Sequence, residues 1–130
     1  MRSKEKRAAL GMGCSSGVRL EELVSLADRV LSKAGLNRPT VIATLATKQG
    51  DPVWLELAAH YGCELRFFDA GQLEQETPRL KNPSDVVFAS VGCHGVAESA
   101  ALAAAGTNAA LIIEKTVEGR ATAALAMAYS

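Results

Sequence analysis

At 130 residues, 48% of them hydrophobic and 22% charged, the chain suits one globular domain and is too short for two ordinary ones. Fourteen basic side chains balance fourteen acidic ones, so it lacks the basic surplus that holds a nucleic-acid backbone. No apolar run approaches the ~20 residues that span a membrane, and aromatic side chains make up only 5% of the chain, which predicts a core of small aliphatic groups.

The N-terminal cluster Arg2, Lys4, Lys6 and Arg7 is not extended downstream, and residues 1–6 read as a flexible basic tail. Only three apolar residues follow it before Gly11-Met12-Gly13, too few for the apolar stretch of a secretory signal. Residues 7–10 are a short apolar lead that predicts a first strand. Leu20, Leu23, Val24, Ala27, Val30 and Leu31 recur with helical spacing, and Gly35 can end that helix. Residues 40–45 predict a second strand. Asp51-Pro52 then predicts a helix start, with Asp51 as N-cap and Pro52 supplying the φ of the first helical position. Leu55, Ala58 and Ala59 share one face of that helix, and Gly62 closes it.

Residues 63–68 predict the next strand. Residues 71–83 are polar, hold two prolines and read as irregular, with a helical turn at 72–76. Residues 85–91 are apolar and β-branched enough to predict a strand. Residues 96–105 form an alanine-rich helix stopped by Gly106, and strands over 109–115 and 121–128 are joined through Val117-Glu118-Gly119 as an antiparallel hairpin. Cys14, Cys63 and Cys93 are an odd, widely spaced set, which argues against a disulfide framework and for a reducing cytoplasm.

Alternating strands and helices predict a single α/β domain over residues 1–130: a mainly parallel sheet covered by helices, with a C-terminal antiparallel hairpin. In such folds ligands sit where the loops leave the carboxyl ends of the strands. Three loops, 11–17, 46–51 and 92–95, are therefore expected to share one rim.

The first is Gly11-Met12-Gly13-Cys14-Ser15-Ser16-Gly17. Its glycines suit close approach of the backbone to a ligand anion at a helix N-terminus, or equally a tight packing turn. Ser16 breaks the dinucleotide glycine pattern, and the P-loop Gly-Lys-Ser/Thr is absent. Thr44 and Lys48 mark the second loop, Lys48 as a candidate partner for an anion. In the third, Gly92 and Gly95 flank Cys93 and His94, and Glu98 follows early in an otherwise alanine-rich helix. His94 is a candidate general base by residue type, and Glu98 is a candidate base or hydrogen-bond acceptor at the rim. No pair among Cys14, Cys93 and His94 has ligand spacing within one element, so no metal is expected.

Taken in order, these segments resemble the family of CobE and the CbiG C-terminal domain. The resemblance rests on Gly11, Gly13, Cys14 and Gly17; Ala43-Thr44, Lys48 and Asp51-Pro52; Leu65-Arg66-Phe67-Phe68 with Leu73; Gly92, Val96-Ala97-Glu98 and Ala100-Ala101-Leu102; and Lys115 with Thr122-Ala123. It spans nearly the whole chain. The resemblance implies a role in corrin-ring assembly, where CbiG, the cobalt-precorrin-5A hydrolase, opens a lactone and releases a two-carbon fragment. It also implies a ligand with a large apolar ring and many carboxylates, no cofactor, and contacts with other cobalamin-pathway enzymes. The expected ligand-binding set is Gly11, Gly13, Cys14, Ser15, Ser16, Gly17, Thr44, Lys48, Gly92, Gly95 and Lys115. Three functions are open: a binding or carrier protein for a precorrin-type tetrapyrrole; a lactone hydrolase with Glu98 or His94 as general base; and a nucleotide-binding α/β module.

Overall fold

The computed structural model describes residues 6–129, and the predicted basic tail lies outside them except for the backbone of Lys6. Chain order is β1 (Lys6–Cys14), α1 (Leu20–Lys33), β2 (Val41–Leu45), α2 (Val53–Tyr61), β3 (Glu64–Phe68), α3 (Ala70–Glu74), α4 (Asp85–Val91), α5 (Ala97–Ala105), β4 (Ala110–Glu118) and β5 (Ala121–Tyr129), with short 3-10 turns at Ala46–Lys48 and Thr77–Arg79. The five strands form one sheet in the order β3-β2-β1-β5-β4. β1, β2 and β3 run parallel. β5 runs antiparallel to β1 from Lys6↔Tyr129 to Cys14↔Ala121 and antiparallel to β4. The terminal hairpin forms, but Val117 and Glu118 belong to β4 and the turn is Gly119-Arg120; it docks along the whole of β1, so the sheet is mixed.

Strand alternation divides the core. Leu10, Met12, Ile42 and Leu125 face α1 and α2, where Leu23, Leu26, Trp54 and Leu57 bury against them. Ala9, Val41, Ala43 and Ala126 face α5 and its alanines. The α1 stripe lies where its periodicity puts it, with Leu23, Ala27, Val30 and Leu31 buried. The buried face of α2 is instead Val53, Trp54, Leu57, Ala58 and Tyr61, and Leu55 is exposed. Asp51 does satisfy an orphan amide, accepting from Val53 N at 3.0 Å.

Two expectations are corrected. Residues 85–91 are helix α4, not a strand. Ser84 Oγ accepts from Val87 N at 3.2 Å, and Gly92, at φ +88°, donates to Phe88 O at 2.9 Å and closes the turn in a conformation that favours glycine. These cap signals outweigh the β-branched Val86, Val87 and Val91. The glycine segment is also not wholly a loop. Gly11, Gly13 and Cys14 belong to β1, with Gly11 set between Ala43 of β2 and Ala124 of β5. Pairing on both sides supplies the backbone partners that glycine's lack of strand propensity would otherwise lose.

The missing side chain of Gly11 serves packing. A Cβ there would fall on the carbonyl oxygen of Ala97 and the amide nitrogen of Ala101, so glycine lets α5 press onto β1. That close approach brings the N-terminal turn of α5 beside the end of β1.

Candidate functional site

A cleft of about 340 Å³ opens where the end of β1, the start of α5, the β4–β5 hairpin and α4 converge. Its floor is Gly13, Cys14 and Ser15, with Gly95 and the first turn of α5 beside them. One wall is α4, which contributes Val86, Val87, Ser90 and Val91. No residue of α4 is buried, and Val86 is 80% exposed. The hairpin lines the cleft through Lys115, Arg120 and Thr122, and Arg120 is paired with Glu22 at 3.1 Å. A Cβ at Gly13 would lie 3.1–3.2 Å from Thr122 Oγ1 and Val96, so here too glycine keeps space open.

Glu98 is the most constrained group in this region. It is buried, and its carboxylate accepts from Lys81 N (3.0 Å), Asn82 N (2.9 Å), Asn82 Nδ2 (2.8 Å) and Lys115 N (2.9 Å). Burial alone would push this carboxyl up, but the donors from Lys115, Asn82 and Lys81 together outweigh it and hold it below the usual carboxylate range. A carboxylate stabilised by four N–H groups has little tendency to accept a proton, and its oxygens are already engaged. Glu98 therefore joins three chain segments, and the geometry does not favour a role as general base.

His94 does not line the cleft. Its Nδ1 meets the Glu74 carboxylate at 2.9–3.0 Å, its Nε2 lies 3.4 Å from Asp85 Oδ1, and Phe88 stacks on the ring at 4.4 Å. Its backbone accepts from Ser84 N at 2.8 Å and donates to Glu74 at 2.9 Å. The Glu74 carboxyl is held low, first by the hydrogen bond from His94. His94 thus ties α4 to α3.

Of the other expected residues, Gly13, Cys14, Ser15, Gly95 and Lys115 line the cleft, and Gly11, Ser16, Gly17, Thr44, Lys48 and Gly92 do not. Thr44 is buried in β2, donating to Met12 O at 2.7 Å. Lys48 donates to Cys14 O at 2.9 Å and so anchors the end of β1. Burial pushes the Cys14 thiol up, with Lys48 acting in the opposite direction, so the thiol is not activated. Among the described residues no three His, Cys, Asp or Glu side chains are grouped to hold a metal ion. Asn82, Arg120 and the valines of α4 were missed from the sequence. The Ser84 and Gly92 caps were the available signal for α4, whereas nothing local marks Asn82 or Arg120.

Comparison with known proteins agrees with this architecture. The family described as cobalamin synthesis G C-terminus matches residues 8–126. Protein CobE of Sinorhizobium sp is 46% identical over 119 residues, covering 90% of this chain and 77% of that protein. A cobalt-precorrin-5A hydrolase of Priestia megaterium is 28% identical over 126 residues; the match takes in 95% of this chain but only 33% of the hydrolase. The crystal structure of CobE, a protein from the cobalamin biosynthetic pathway, superposes with a TM-score of 0.88 at 32% identity, covering 95% of this chain and 94% of that one. The cobalamin biosynthesis protein chiG of Agrobacterium tumefaciens superposes with a TM-score of 0.71 at 27% identity, covering 92% and 96%. With its sequence matched from β1 to β5 and its fold shared with CobE, the chain belongs to the CobE and CbiG C-terminal family of cobalamin biosynthesis proteins.

Proposed function

We propose that this protein binds a precorrin-type tetrapyrrole during corrin-ring assembly and acts as a binding or carrier protein. The observation that carries this function is the pairing of opposite chemistries across one cleft. Exposed Val86 with half-buried Val87 and Val91 of α4 supplies an apolar lining, and Lys115 and Arg120, the latter paired with Glu22 at 3.1 Å, line the same cleft. A ligand with an apolar ring and peripheral carboxylates matches both features. At about 340 Å³ the cleft takes an edge of such a macrocycle, leaving the remainder to lie along α4 or against another enzyme of the pathway.

Kinship with a hydrolase over a third of that enzyme's length raises a lactone-opening role. Such chemistry needs a group free to accept a proton beside the ligand, and Glu98 is saturated while His94 is held outside the cleft. Binding without turnover is therefore the better-supported function.

Absorbance titration of the purified protein with cobyrinic acid, a corrin bearing free side-chain carboxylates, tests it directly. A saturable spectral shift is expected, with no release of a two-carbon fragment from a lactone-bearing precorrin. Lys115→Ala should weaken binding by about 1.5–3 kcal/mol if its ammonium pairs with a carboxylate. Absence of any saturable shift, or measured fragment release, would overturn the carrier function.

A further inference from the structure

Two bulges in β4, one between Leu111 and Ile113 and one between Ile113 and Thr116, decide which way Lys115 faces. Ile113 pairs with Leu125 and packs in the core against α1 and α2. Leu111 packs on the α5 side and the first bulge turns Ile113 to the other; successive side chains alternate faces, so a ladder unbroken from Ile113 would keep Lys115 on that side, away from the cleft. The ladder resumes at Thr116↔Ala123, which leaves Glu114 and Lys115 together opposite Ala124. This second β-bulge undoes the phase shift of the first and carries Lys115 to the α5 side, where it lines the cleft.

The bulge has a specific support. The Lys115 amide donates to Glu98 Oε2 at 2.9 Å. Asn82 Nδ2 lies between the same carboxylate, at 2.8 Å, and Glu114 Oε1, at 3.3 Å. A buried acid on α5 thus holds both bulged residues, one directly and one through Asn82. Lys115 contributes to none of the ion pairs among the described residues.

From this arrangement we infer that the Glu114–Lys115 bulge creates a carboxylate subsite in which Lys115 is the anion-binding group and Glu98 its positioning residue. The subsite rests on the tetrapyrrole-binding function proposed above and specifies which part of the ligand is read: an ionised side-chain carboxylate, not its amide. An ammonium gains a charge-assisted hydrogen bond from the first and only a neutral contact from the second.

The test is a double-mutant cycle read by absorbance titration, with cobyrinic acid and with cobinamide, whose side chains are amides, as probes. Wild type should bind the acid more tightly, with a preference that shrinks as salt rises. Lys115→Met should weaken the acid about tenfold or more and leave the amide nearly unchanged. Glu98→Gln should weaken the acid in the wild-type background and add little in the Lys115→Met background, because a positioning residue has nothing left to position. Thermal unfolding reports whether each variant is folded. If Glu98→Gln is not, Asn82→Ala, which removes one of the four donors, takes its place and should give a smaller effect of the same pattern. Equal binding of acid and amide, unaffected by Lys115→Met, would overturn the subsite alone, as would additive losses in the cycle. Failure of both corrins to bind would overturn the binding function and the subsite with it.

Discussion

Glu98 shows how one buried side chain can be placed by several segments at once. It sits in the first turn of α5, and the segments that satisfy it arrive from residues 81–82 and from β4. Because its carboxyl is held below the ordinary range, the folded protein binds this proton less readily than the unfolded chain does. The resulting stability is fully present above the unfolded glutamate value, roughly 4.3, and is lost as pH falls through the lower folded value. Urea unfolding should therefore separate wild type from Glu98→Gln by about 2 kcal/mol or more at pH 7. The two midpoints should begin to converge as pH falls below roughly 4.3 and meet only beneath the lower folded value. A separation that stays constant over this range would mean that packing, not ionisation, explains the loss.

Helix α4 is unusual at the scale of the element. Seven residues, five of them valine, phenylalanine or alanine apart from a lone serine and the capping-turn aspartate, form a helix with none of them buried. It is held at its ends, by the Ser84 and Gly92 caps and by the His94 contacts to Ser84, Asp85 and Phe88. Since Val86 is almost fully exposed, Val86→Ser should leave the unfolding free energy within about ±0.5 kcal/mol of wild type. If α4 forms the apolar wall for the ring, the same change should weaken cobyrinic acid binding roughly fivefold or more. Unchanged affinity would remove α4 from the binding surface. The caps of this helix are visible in the sequence, but its β-branched Val86, Val87 and Val91 point to a strand and mask them.

Across the whole molecule, the cleft depends on how closely α5 lies on the sheet. Gly11 sets that distance, because a side chain there would collide with backbone that cannot move independently of α5. Gly11→Ala is expected to cost about 1–3 kcal/mol or more in urea unfolding and to weaken tetrapyrrole binding as α5 shifts. Gly50→Ala, where an added Cβ would meet nothing within 4 Å, is the control and should be near neutral. Equal effects at the two glycines would show that chain flexibility, not the contact with α5, accounts for the change.

Sequence alone determined what local chemistry encodes: the helical stripe of α1, the Asp51 cap, the alanine-rich α5, the terminal hairpin, and the order of segments that resembles the CobE and CbiG C-terminal family. Tertiary structure decided what each chemical group is free to do. The glycines of β1 looked alike in sequence, yet Gly11 is taken up by α5 and Gly13 lines the cleft. Thr44 and Lys48 sit where the chain leaves β2, but their polar atoms are directed to the carbonyls of Met12 and Cys14. Lys115 reaches the cleft because the second of two bulges in β4 undoes the phase shift of the first. A bulge of this kind comes from the competition between a strand ladder and a buried carboxylate 17 residues away, and periodicity within one strand carries no record of that contact.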